Sequence, residues 1–181
     1  MTFLRPSFSM NAPNHSLLHG PTLGFLVLRL WLAVRALLTG FEKFAGTKIV
    51  HQPLLDEFGE PDINGTMIEV KQKVYGLDYY HGLPDSMAAA FQREPLLPGW
   101  ALNAYSAMIG WAFLAVGLTL LLGICTRVTL FVMGLLYVSL TLGLILLNQN
   151  DGVAWLGLHT LMVAVALRWV DDNRFCLVPK Y

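Results

Sequence analysis

Between residues 95 and 150 the chain carries a single formal charge, Arg127, set between two long apolar runs. Those runs, 104–125 and 128–147, each approach the roughly 20 residues that a helix needs to cross the hydrocarbon core of a bilayer. A soluble helix would present a polar face every turn, and neither run does. Two membrane-spanning helices joined by a tight polar turn satisfy the pattern. Overall usage agrees, with 55% hydrophobic and 13% charged residues, against about 25% charged in a typical soluble domain. A chain of 181 residues has room for about four spans and one modest extramembrane element. Its formal net charge is +0 and it has no basic tract, so nothing points to nucleic acid.

The expected fold class is an all-α membrane protein, a four-transmembrane-helix bundle with an extramembrane cap between the first and second spans. Residues 1–22 read as a weakly ordered N-terminal tail without the layout of a secretory signal. The spans fall at about 23–44, 104–125, 128–147 and 153–169, and residues 45–99 form the cap. Within the cap, Asn64-Gly65 signals a turn, residues 66–74 partly alternate as a short strand would, and residues 85–94 suggest a short surface helix stopped by Pro95 and Pro98. Ala36 and Gly40, Ser139 and Gly143, and Thr160 and Ala164 repeat at helix-contact spacing.

The first span contains two arginines. Arg29 is near the entry end, where a long side chain can snorkel to the headgroups. Arg35 is close to mid-membrane and must face other helices or a wet cavity, because lipid exposure costs at least ~2.5 kcal/mol. Arg35, Thr39 and Glu42 share one helical face. The short turn holds Arg127, and Arg168, Arg174 and Lys180 lie at or beyond the end of the last span, while the turn at 148–152 has no basic residue. Positive-inside bias then places both termini in the cytoplasm and the cap on the periplasmic side of a cell (inner) membrane. Cys125 and Cys176 are too few and too far apart for a zinc knuckle, and the sequence offers no metal site.

Leu28-Arg29-Leu30 leading to Gly40-Phe41-Glu42-Lys43-Phe44-Ala45-Gly46 resembles the first helix of the DoxX family. The segment from Gly117 through Gly123 to Thr126-Arg127 resembles that family's second-helix signature, and Asn173-Arg174-Phe175-Cys176-Leu177 is similar to its C-terminal ending. The matched motif positions are Arg29, Gly40, Gly117, Gly123, Thr126, Arg127 and Arg174. The resemblance implies a four-helix membrane protein related to DoxD-type thiosulfate:quinone oxidoreductases and to proteins associated with redox complexes. Phe113 stands where the family often has a glutamate, so a mechanism using that carboxylate does not transfer.

Two functional expectations follow. In the first, the chain supports electron transfer from a periplasmic donor, such as a reduced sulfur compound, to membrane quinone. Arg35, Thr39 and Lys43 would hold the quinone, and Glu42 and His159 would move protons, since imidazole titrates near neutral pH. In the second, the chain is a non-catalytic anchor or assembly subunit of a larger membrane redox complex, because no intrinsic electron carrier is evident. The bland alternatives are that Arg35 and His159 bond neighbouring helices, that Glu42 and Lys43 form a local ion pair or anchor at the interface, and that Thr126 and Arg127 serve topology. Either way the partners are the lipid bilayer and other subunits.

Overall fold

A computed structural model describes residues 19–54, 60 and 67–177. The Asn64-Gly65 turn, Lys180 and most of the N-terminal tail lie outside the described residues. Four long helices dominate: α1 (Gly20–Glu42), α3 (Gly99–Leu122), α4 (Thr126–Leu146) and α5 (Asn150–Arg168). Each is long and apolar enough to cross a membrane. Between α1 and α3 lie an antiparallel pair, β1 (Ala45–Pro53) and β2 (Met67–Tyr75), and the short helix α2 (Asp85–Phe91). The strands pair from Ala45↔Tyr75 to Pro53↔Met67.

Side-chain polarity explains how the helices associate. α1 packs on α3, α3 on α4, α4 on α5, and α5 returns to α1. Phe25, Leu32, Ile109, Phe113, Leu120, Leu130 and Met133 fill the space between them. The outward faces are equally apolar. On α4, Val128, Phe131, Leu135, Val138, Leu142 and Ile145 are all exposed, at alternating steps of three and four that trace one helical stripe. A stripe facing water would be polar, and this one is matched to hydrocarbon.

Close approach of α1 to α3 depends on two glycines that face each other's helix. A Cβ on Gly40 would lie 2.8 Å from the Leu114 side chain, and one on Gly117 would lie 2.8 Å from the backbone nitrogen of Leu37. Removing the side chain at each contact lets the helices interlock. At its far end α3 stops at Gly123, whose φ of 71° is the left-handed conformation that glycine adopts without strain.

The boundaries differ from the sequence reading for identifiable reasons. α1 begins at Gly20 rather than residue 23, with Pro21 in the first turn where a missing N–H breaks no helical bond. α3 begins at Gly99 rather than 104, directly after Pro98, because Asn103 is tolerated in a helix although it interrupts an apolar run. α5 begins at Asn150 rather than 153. β2 and α2 fall where a strand and a short helix were expected, but α2 stops at Phe91, short of residue 94. Phe91 anchors α2, being buried with its ring against Gly143 of α4. Strand β1 was not foreseen, since 45–53 has no strict alternation, and the pairing with β2 supplies what local pattern does not.

Candidate functional site

The middle of the four helices holds a small polar group. His159 of α5 and Tyr137 of α4 are buried, with ring centroids 5.6 Å apart in an edge-on arrangement. Phe113 of α3 closes the other side of Tyr137 at 6.1 Å. The His159 Nδ1 lies 2.8 Å from the Trp155 carbonyl oxygen. A carbonyl only accepts, so Nδ1 carries the hydrogen and, in the neutral ring, Nε2 keeps a bare lone pair. That Nε2 and the Tyr137 hydroxyl are both buried without a hydrogen-bond partner. One is an acceptor and the other can donate, and both are in low-dielectric surroundings where an unmade bond costs about 1–3 kcal/mol.

Arg35 stands apart from this group, its side chain exposed along the flank of α1, about 110° round from the centre of the buried face. The expectation that it faces other helices is therefore not met among the described residues, where Arg35 lies outside the buried face of α1. Thr39 is committed locally, its hydroxyl donating to the Arg35 carbonyl at 2.8 Å. His159 sits nine residues from the first residue of α5, roughly 14 Å along the axis, so it lies midway along that helix.

Glu42 does not join the group. It lies at the end of α1, where both carboxylate oxygens accept from Lys73 of β2 at 2.7 Å and Tyr75 donates at 3.4 Å. The ion pair is thus with Lys73, not with the adjacent Lys43, which is half-buried. Donation to Glu42, helped by Tyr75, holds the Lys73 ammonium above the ordinary lysine range. A raised lysine stabilises the fold below its ordinary pKa of ~10.4, and the contribution disappears as pH rises through the shifted value. Proteolysis of the β1–β2 connection should therefore accelerate above about pH 10.5, and Lys73→Met should remove that pH dependence while leaving the helices intact. An unchanged profile in Lys73→Met would show that the pair does not hold the hairpin.

The same end is stitched by aromatics. Phe44 packs at 4.8 Å from Tyr80 and 4.9 Å from Trp111. The Tyr80 hydroxyl donates to the Ser106 carbonyl at 2.7 Å and accepts the Gly110 N–H at 3.3 Å. Gly82 lies so close to α3 that a Cβ there would sit 1.7 Å from the Ser106 carbonyl oxygen. Lys43 accepts the His81 N–H through its carbonyl at 2.8 Å.

At the opposite end Arg29, Gly123 and Thr126 meet residues 173–175. Arg29 does not snorkel: it is 3% exposed, and its Nη1 donates to the Asn173 side-chain oxygen at 2.7 Å and to the Phe175 carbonyl. Asn173, 7% exposed, passes the connection on, its Nδ2 donating to the Thr126 hydroxyl at 2.9 Å. Because arginine can only donate, the orientation of the Asn173 amide follows from its partner. Gly123 makes room, since a Cβ there would be 2.8 Å from Arg29 Nη1. Arg127 stays on the surface and pairs with Asp171 at 3.0 Å. Arg174 is exposed beside them.

Of the residues singled out from sequence, His159 lies in the buried group, Arg35 is exposed on α1, Thr39 bonds within its own helix and Glu42 pairs with Lys73. Tyr137 was missed, although a phenol midway along an apolar helix is itself a signal, because its hydroxyl needs a partner. Asn173 was visible only as part of a motif. No group of His, Cys, Asp and Glu able to hold a metal occurs among the described residues. No protein-family model matches the chain, and no curated protein or solved structure is similar to it.

Proposed function

We propose that this chain is a multi-pass inner-membrane protein, a four-helix bundle capped outside the bilayer by the β1–β2 hairpin and α2, with both ends of the chain cytoplasmic. The polar group between α4 and α5 binds the headgroup of a quinone and supports electron transfer to it from a periplasmic donor such as a reduced sulfur compound. The observation carrying this reading is the pair of unpartnered buried atoms, Tyr137 hydroxyl and His159 Nε2. A quinone carbonyl accepts from the phenol, and a quinol hydroxyl donates to Nε2. Reduction of the quinone takes up two electrons and two protons; a protonated His159 Nε2 would deliver one proton, Nδ1 remaining fixed on Trp155, and water would deliver the other. The electrons would come from a partner subunit, as no carrier group is evident among the described residues.

The expected result is specific. Tyr137→Phe should weaken binding of a short-chain quinone analogue, followed by tryptophan fluorescence in detergent, by about 5–10-fold, the worth of one hydrogen bond. The same change should leave the ligand-free protein equally or more heat-resistant, because a buried hydroxyl without a partner has been removed. Quinone affinity equal in both proteins would remove the site.

A second reading is favoured by the hairpin. Ile49, Met67, Ile68 and Tyr75 are exposed on it, which suits a subunit that anchors a redox partner at the outer surface. Purification from native membranes separates the two: partner chains at fixed stoichiometry without quinone binding support anchoring.

A further inference from the structure

We propose that the groove between the end of α3 and residues 174–177 binds the phosphate of an anionic membrane lipid. The groove has a volume of about 530 Å³ and is lined by Arg29, Arg174, Leu121, Leu122, Phe175 and Leu177. Among the described residues no anion balances its charge. Arg29 is bonded only to neutral groups, the Asn173 amide and the Phe175 carbonyl, and its Nε is buried without a partner. Among the described residues no carboxylate pairs with Arg29 or Arg174; Asp171 is engaged by Arg127. A guanidinium removed from water and facing no anion is expensive, and its planar fork is shaped for phosphate oxygens.

The walls say which phosphate. Leu121, Leu122 and Leu177 are exposed apolar surface, and Leu118 extends the same exposed face one turn further along α3. A headgroup phosphate lodged between the two arginines would lay its acyl chains along that face, whereas inorganic phosphate would leave it uncovered. The proposal rests on the membrane-spanning reading and is independent of the quinone site.

Delipidated protein in a neutral detergent, titrated with dioleoylphosphatidylglycerol, dioleoylphosphatidylcholine or inorganic phosphate and followed by native mass spectrometry, tests it. Phosphatidylglycerol should be retained preferentially. Arg174→Gln, at an exposed position, should weaken that retention roughly fivefold, the factor associated with one arginine at an anionic surface, while Arg127→Gln should not. Equal retention of both lipids, retention unchanged in Arg174→Gln, or binding of inorganic phosphate as tight as that of phosphatidylglycerol would overturn the proposal alone. Protein that stays dispersed without detergent would overturn the membrane-spanning reading with it.

Discussion

Arg29→Ala should destabilise the protein by about 2–4 kcal/mol, read as a shift in the unfolding midpoint in detergent. Two charge-assisted hydrogen bonds disappear, and the Asn173 side-chain oxygen is left buried with nothing to accept from. Arg29→Lys should recover only part of the loss, since one ammonium does not reproduce a fork that reaches both Asn173 and Phe175. Asn173→Leu should cost a similar amount, because it strands Arg29 and the Thr126 hydroxyl together. The double variant should fall well short of the sum, as expected for residues acting through one network. A midpoint within about 0.5 kcal/mol of wild type for Arg29→Ala would mean that the cluster is a surface feature of no structural weight.

Gly117→Ala should cost about 1–3 kcal/mol, the range for forcing atoms into a filled contact. The obstacle is the backbone nitrogen of Leu37 as well as its side chain, so relief requires α1 to move from α3 as a body. Gly157→Ala is the control, with open space around the added carbon, and should be neutral or slightly stabilising through helix propensity. Gly82→Ala should act differently. Its clash is with the Ser106 carbonyl, and the loop carrying Tyr80 can lift away locally, so protease sensitivity near residue 82 should rise more than the global midpoint falls. Equal midpoints for Gly117→Ala and Gly157→Ala would show that the α1–α3 contact tolerates widening.

The helices were legible because twenty-residue apolar runs leave the chain few other options. Their ends were less so. Asn103 continues α3 although it interrupts its hydropathy, and Gly20 to Thr22 join α1 on the strength of Pro21 and helix packing. Arg29 shows the deeper difficulty. Position along a span suggests snorkelling, but the outcome was decided by Asn173, which lies 144 residues away; no local pattern carries that information. The partner of Glu42 was hidden for the same reason, being on a strand whose pairing is set by tertiary contact. His159 was recognisable as a polar residue in a span, while its fixed proton on Nδ1 depends on a carbonyl one turn back.

The separation of Arg29 from Asn173 also has a bearing on biosynthesis. The guanidinium belongs to α1, and the amide that receives it is translated 144 residues later. At 5–20 residues per second that interval is roughly 7–30 s. Throughout it the cation must be sheltered by water or other polar groups, and only arrival of Asn173 and Phe175 releases it from that custody. The stretch around Asn173 is thus the latch of the four helices.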